Sequence, residues 1–199
     1  MRRFTLSVLA SVLMSLSLVT TAAFTAAAAP PVPRKAAEFV IQMPDKQLLL
    51  SSYRGKIVVM AFMFTTCPHC QKMAGILAQV QKEYADKGVQ VLGAAFDPGA
   101  AAQVQKFIQV FGVNFPCGYS NPKAVMDFEQ VTNPPFVPDL IFIDKAGTIR
   151  SQYVPDGSDP APEKFLSNPE VNIRAELDKM LKARPAAARS VAHKTGEPE

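Results

Sequence analysis

The chain contains no tryptophan, only two histidines and only three cysteines in 199 residues. Three cysteines are too few to staple a small secreted domain, and a chain of this length does not need stapling. A structural zinc site is equally poorly supplied. One Cys-x-x-Cys pair is present, and beyond it only Cys117 and the tail residue His193 could complete a ligand set. No glycine-rich phosphate loop, Ser/His/Asp arrangement or nucleic-acid motif occurs. Charged residues are sparse at 19%. What is present suits one packed domain with appendages: 48% of residues are apolar, and 17 prolines predict many turns and short elements.

The net charge of +4 is confined to the ends of the chain. Arg2 and Arg3 supply half of it. The tail supplies the rest, with Lys182, Arg184, Arg189 and Lys194 set against Glu197 and Glu199. Residues 30–181 carry 15 basic and 15 acidic side chains and are neutral, so the basic pI of about 9.0 does not imply a nucleic-acid partner.

The one long uncharged run stands at the N-terminus. A basic start is followed by an apolar stretch over residues 4–19 and a small-residue exit over residues 20–29. That order describes a secretory signal peptide over residues 1–29, cleaved between Ala23 and Ala29. An uncleaved membrane anchor is the alternative, since the run exceeds the ~20 residues needed to span a bilayer. Either way the mature domain is expected outside the cytoplasm, in a periplasmic or other extracytoplasmic space where disulfides persist.

Residues 30–37, rich in proline, read as a linker. Residues 39–42 and 47–50 flank Met43-Pro44-Asp45-Lys46 as a hairpin. After the Arg54-Gly55-Lys56 turn, IVVMAFMFT (residues 57–65) is apolar on both faces and suits a central parallel strand. Met73, Ile76, Leu77, Val80 and Tyr84 follow at helical spacing, with Lys87-Gly88 as a stop. Residues 89–96 form the next strand, completing a β-α-β unit. Val104, Phe107, Ile108 and Phe111 mark a second helix ended by Gly112, and residues 122–128 a short one. Residues 140–144 and 148–153 read as a hairpin about Lys145-Ala146-Gly147. Asn168 and Pro169 open a last helix with Ile173, Leu177, Met180 and Leu181 as its core stripe. The domain is expected over residues 38–184, a small α/β fold, with a disordered tail over residues 185–199.

Chemistry concentrates in Cys67-Pro68-His69-Cys70, between the central strand and the first helix. With Cys67 at the N-cap, Pro68 takes the first helical position, where its missing N–H costs nothing. The free N–H groups and the positive helix end then favour thiolate over thiol at Cys67. Cys70, one turn inside, is placed to resolve a mixed disulfide. Positive charge on His69 stabilises the reduced form and makes the disulfide more oxidising. A structural disulfide and soft-metal binding, with Cu(I) on Cys67, Cys70 and Met73, remain open on these residues alone.

Two stretches, LLLSSYRGKIVVMAFMFTTCPHC (residues 48–70) and PDLIFIDKAGTIR (residues 138–150), resemble the thioredoxin-like superfamily. The likeness is to the secreted TlpA/ResA branch allied to the AhpC/TSA peroxiredoxins. The resemblance implies a mixed central sheet flanked by helices, with the 39–50 hairpin as an N-terminal extension. It implies a thiol–disulfide oxidoreductase, with Cys67 as nucleophile and Cys70 as resolving thiol. It implies a cis proline at Pro138, with Val137 and Pro138 as the docking loop for a substrate peptide. The substrates would be protein or peptide thiols or disulfides. A membrane redox partner would recycle a monomeric enzyme that needs no cofactor and no metal. Cys-Pro-His-Cys is also the choice associated with DsbA-like oxidants.

The chain departs from the family in two places. The buried aspartate that serves the resolving thiol in thioredoxin is replaced by Ala61, and the tryptophan before the first cysteine by Thr66. Asp139, directly after Pro138, is therefore a candidate proton relay. Asp97-Pro98-Gly99 reads as a turn near the same sheet edge. Cys117 reads as a small buried hydrophobe, with a third redox thiol as the alternative. Thiol peroxidase of the AhpC/TSA type is the alternative enzyme, but Phe64 stands where its threonine is expected. A Sco-like copper metallochaperone is the alternative outside enzymes. It calls for three residues between the cysteines and a distal histidine within the fold, whereas His193 lies in the tail.

Overall fold

The computed structural model describes residues 30–132, 136–155 and 160–183. The expected signal segment and residues 185–199 of the tail lie outside the described residues. Within the described residues, eight strands form one mixed sheet in the order β1-β8-β7-β4-β5-β6-β2-β3. They are β1 (Arg34–Lys35), β2 (Val40–Gln42), β3 (Gln47–Leu49), β4 (Ile57–Met63), β5 (Val89–Ala95), β6 (Cys117–Tyr119), β7 (Asp139–Ile143) and β8 (Thr148–Tyr153). Among the described residues five α-helices flank the sheet: α1 (Pro68–Tyr84), α2 (Ala100–Val110), α3 (Pro122–Glu129), α4 (Pro160–Ser167) and α5 (Pro169–Lys182). No helix among the described residues is long and apolar enough to cross a membrane. This is the expected thioredoxin-like architecture of a mixed sheet with helices on both faces.

β4 is central because its sequence leaves no face for water: all seven residues are buried. It pairs in parallel with β5, Val59 opposite Val91, and antiparallel with β7, Ala61 opposite Leu140. Alternation along β4 divides the core. Val59, Ala61 and Met63 face α1, α2, α4 and α5 through Leu77, Phe107, Phe165 and Leu177. Val58, Met60 and Phe62 face α3 and the N-terminal segment through Phe128, Val125 and Phe39. Phe39, Phe62 and Phe128 meet edge to face at centroid distances of 5.1–5.9 Å, a favoured geometry for aromatic rings.

The hairpin forms as expected, with Val40 opposite Leu49 and Gln42 opposite Gln47, and joins the sheet through Gln42 opposite Tyr119. The β7–β8 turn is held by Asp144, whose Oδ1 accepts from the N–H groups of Ala146 and Thr148, both at 2.9 Å. Arg34 and Lys35, which composition placed in a linker, instead pair with Ile149 and Thr148 as β1. The expected capping bond of α5 is not made: Asn168 occupies the N-cap, but its side chain accepts no bond from the first turn. Asn121 does cap α3, accepting from the Lys123 N–H at 2.8 Å ahead of Pro122.

Candidate active site

β4 delivers the chain to the start of α1, and the Cys-x-x-Cys motif sits on that junction. Cys67 is the N-cap, extended at φ −81° and ψ 122°, with Pro68 in the first turn. An extended N-cap turns the Cys67 side chain out of the helix, and it is partly exposed, whereas Cys70 is fully buried. His69 is exposed on the first turn. All three cysteines are free thiols.

Cys70 accepts a hydrogen bond at Sγ from the Phe64 N–H at 3.4 Å. Burial pushes its thiol far above the usual range, and the Phe64 N–H only partly offsets this. The neighbouring Cys67 and the charge of Asp139 raise it further. A thiol so disfavoured as an anion needs a partner to exchange its proton with whenever it attacks or leaves.

The second wall of the site comes from the segment before β7. The Val137–Pro138 peptide is cis, as expected, and the Val137 carbonyl oxygen lies 3.8 Å from Cys67 Sγ. Val137 is partly exposed and Pro138 buried. Phe136, one residue earlier, is 69% exposed. Asp139 opens β7 opposite Phe62 and is fully buried. The structure thus brings Cys67, Cys70, Val137, Pro138 and Asp139 to one place, with Pro68 and His69 on its solvent side.

Asp97 does more than turn the chain. It is buried, and its Oδ1 accepts from the Thr65 N–H at 2.9 Å while its Oδ2 accepts from Thr65 Oγ1 at 2.6 Å. Gln71 Nε2 of α1 donates to the Thr65 carbonyl at 3.1 Å. The residue two before Cys67 is thus clamped from β5 and from α1. A groove of about 490 Å³ runs beside it between the start of α1 and the C-terminal half of α2, with Thr66, Lys106, Val110 and Phe111 in its walls.

Cys117 stands apart from the motif. It is buried in β6, and burial pushes its thiol up to about 12. Its Sγ sits where Gly93 leaves room: a Cβ there would lie 2.9 Å from it. Among the described residues no group of three or more His, Cys, Asp or Glu side chains is arranged to hold a metal ion.

Two residues that sequence reasoning missed adjoin Asp139. Glu129, at the end of α3, is fully buried, and Arg34 of β1 reaches the same place. The available signal was spacing, since Glu129 falls on the buried stripe of α3 with Val125 and Phe128. A carboxylate on an apolar helix face is unusual without a partner.

The comparisons with known proteins agree with this geometry. A family model described as the AhpC/TSA family matches residues 32–152. The chain is 25% identical over 134 residues to the thiol-disulfide oxidoreductase ResA of Bacillus thuringiensis (strain Al Hakam), covering 67% of this chain and 75% of that one. It is 30% identical over 101 residues to ResA of Bacillus subtilis (strain 168), covering 50% of this chain and 56% of that one. Among solved structures, a thiol:disulfide interchange protein of the thioredoxin family from Chlorobium tepidum TLS superposes with a TM-score of 0.54 at 23% identity. That match covers 72% of this chain and 99% of the other.

Proposed function

The chain belongs to the AhpC/TSA family and is a thioredoxin-like thiol–disulfide oxidoreductase, and on that premise we propose that Cys67 and Cys70 are its redox pair. The observation that carries the reading is the division of labour between them. Cys67 is partly exposed at the start of α1, 3.8 Å from the Val137 carbonyl, while Cys70 is sealed behind it.

In the reducing direction the Cys67 thiolate attacks one sulfur of a substrate disulfide, and the other leaves as a thiolate. A mixed disulfide then joins Cys67 to the substrate. Cys70 gives up its proton and attacks Cys67 Sγ, releasing the second substrate thiolate and closing the Cys67–Cys70 disulfide. The substrate has gained two electrons and the enzyme has lost them. In the oxidising direction the same steps run backwards, and Cys70 leaves as a thiolate that must be protonated. Asp139, whose charge reaches Cys70, is the proton relay in both directions.

Val137 and Pro138 form the docking loop. The Val137 carbonyl beside Cys67 offers an acceptor to the backbone of an extended substrate peptide, in the manner of an added strand. Pro68 and His69 tune the potential, a protonated imidazole favouring the reduced state and so an oxidising enzyme. The substrates are protein or peptide thiols and disulfides outside the cytoplasm, and the enzyme is a monomer recycled by a membrane redox partner. Residues 1–29 are its export signal and residues 38–184 its working domain.

Substitution tests the pair directly. Cys67→Ser abolishes exchange with a peptide disulfide. Cys70→Ser accumulates a mixed disulfide at Cys67, seen as the added peptide mass under non-reducing conditions. Retained turnover in Cys67→Ser rejects the assignment. The reduction potential of the wild-type pair fixes the direction, since about 30 mV shifts a dithiol equilibrium tenfold. A value near that of DsbA supports the oxidant, and one near that of thioredoxin rejects it.

A further inference from the structure

Behind Cys70 two carboxyl groups and a guanidinium meet with little access to water. Glu129 at the end of α3 and Asp139 at the start of β7 are both fully buried. Among the described residues no N–H or O–H donates to any of their four carboxyl oxygens. A buried carboxylate without a donor is strongly disfavoured, and two of them side by side cannot both be ionised. Each carboxyl is pushed up by burial, and the charge of Glu129 raises Asp139 further, so the pair is driven to hold protons in place of the missing donors.

Arg34 approaches from β1. Its Nη2 donates to the carbonyls of Phe128 at 3.1 Å and Glu129 at 3.2 Å and to Gln152 Oε1 at 2.6 Å. Among the described residues its Nε and Nη1 have no partner, and its charge acts on Glu129. Among the described residues the charged and titratable groups facing the pair are Cys70 from α1 and Arg34 from β1, with Cys67 facing Cys70 in turn.

We propose that Glu129 and Asp139 act as one proton-exchanging pair for Cys70, with Asp139 as its inner station, Glu129 as its outer station and Arg34 setting the charge at the outer end. The proposal rests on the reading of Cys67 and Cys70 as the redox pair. When a substrate thiolate attacks Cys67 Sγ, the Cys67–Cys70 bond breaks and Cys70 leaves with the electron pair. Both carboxyls hold a proton at the start: Cys70 takes the one on Asp139, and Asp139 takes the one on Glu129, so one proton stays on the pair and only Glu129 is left ionised. In the opposite direction the proton runs from Cys70 to Asp139 and on to Glu129. Burial raises Glu129 to about 8 against the pull of the Arg34 charge. A group titrating close to working pH can serve as acid and as base.

Glu129 touches neither sulfur and is a positioning residue, so the test reads a pH profile. Oxidised protein is mixed with glutathione in a stopped-flow instrument between pH 6 and 10, and the rate is expressed per glutathione thiolate. The wild-type rate falls through an inflection near pH 8 as the pair loses a proton. Glu129→Gln loses the inflection and is slower at neutral pH by about tenfold, below the 10²–10⁴ of a direct acid or base. Arg34→Gln moves the inflection upward, since removing the cation disfavours the ionised carboxyl. Glu129→Asp restores the inflection. A Glu129→Gln profile identical to that of the wild type overturns the proposal. Wild-type protein that exchanges nothing through Cys67 overturns the redox-pair reading instead. If Glu129→Gln fails to fold, infrared spectra of the wild type decide. A protonated-carboxyl band at neutral pH that bleaches above pH 8 is expected, and its absence overturns the proposal.

Discussion

The Val137 carbonyl oxygen lies 3.8 Å from Cys67 Sγ, so in the proposed mechanism the sulfur that would receive a substrate and the backbone that would orient it belong to one contact. A peptide aligned by that carbonyl is carried past the neighbouring residues of the same segment. Phe136 is one of them, and it is 69% exposed with its N–H donated to the Pro155 carbonyl at 3.0 Å. An aromatic ring held out on an anchored backbone is a ready apolar contact for a docked chain.

Phe136→Ala is therefore expected to raise KM for a peptide disulfide by about tenfold, equivalent to about 1.4 kcal/mol, with kcat little changed. Exchange with the disulfide of 2-mercaptoethanol, which has no peptide backbone to align along this segment, keeps its wild-type rate. Equal losses for both substrates show that Phe136 acts on the site itself and not on docking.

The clamp on Thr65 gives a second expectation. Asp97 accepts both the N–H and the hydroxyl of Thr65 in a buried setting. Asp97→Ala leaves those donors short of acceptors, at about 1–3 kcal/mol, measured as a lower urea midpoint. Cys67 lies two residues on, so exchange slows as well. Asp97→Asn, which keeps one acceptor oxygen, recovers part of both losses. Wild-type stability in Asp97→Ala removes the clamp from the account.

Much of this site was legible before any coordinates. The unbroken apolar run of β4 marks a strand buried on both faces, and the motif after it marks the helix start. The elements that escaped are those made by partners far away in the chain. β6 is three residues long and exists because Gly118 lets the Gln42 backbone approach where any Cβ would collide with its carbonyl oxygen. β1 follows a proline-rich run and is a strand only because β8 pairs with it. α4 contains Pro162 and is held by packing, with Phe165 stacked on Tyr153 at 3.6 Å. Glu129 reads as an ordinary helix-end glutamate until the fold sets it against Asp139, ten residues on in the chain.

Cys117 tests the separation of the structural thiol from the reactive one. Its burial, and a thiol pushed up to about 12, make it inert to alkylation at neutral pH. Iodoacetamide should label Cys67 in the folded reduced protein and reach Cys117 only on unfolding, as read by peptide mass spectrometry. Cys117→Ala should cost about 1 kcal/mol through lost packing in the core cluster it shares with Met63 and Phe115 and leave exchange unchanged. Rapid native labelling of Cys117, or lost exchange on its removal, would return it to the redox machinery.

The buried carboxyl pair also sets how stability varies with pH. In the unfolded chain Glu129 and Asp139 ionise near pH 4. In the fold burial raises Glu129 to about 8 and Asp139 well above its ordinary value, Glu129 adding to the rise at Asp139. Between those limits the folded state binds more protons than the unfolded one, so unfolding releases protons and stability falls as pH rises. The contribution is fully present below about pH 4 and is lost on passing pH 8, at about 1.4 kcal/mol per pH unit for each extra proton held. The buried thiols Cys70 and Cys117 act with the same sign but only above about pH 8.5, where unfolded thiols ionise. The interval from pH 5 to pH 8 therefore isolates the carboxyls. Urea midpoints of the reduced wild-type protein should fall across it, and those of Glu129→Gln should fall distinctly less. Parallel lines for the two proteins would mean that Glu129 is already ionised in the fold at pH 5, and its place as the outer proton station would have to be abandoned.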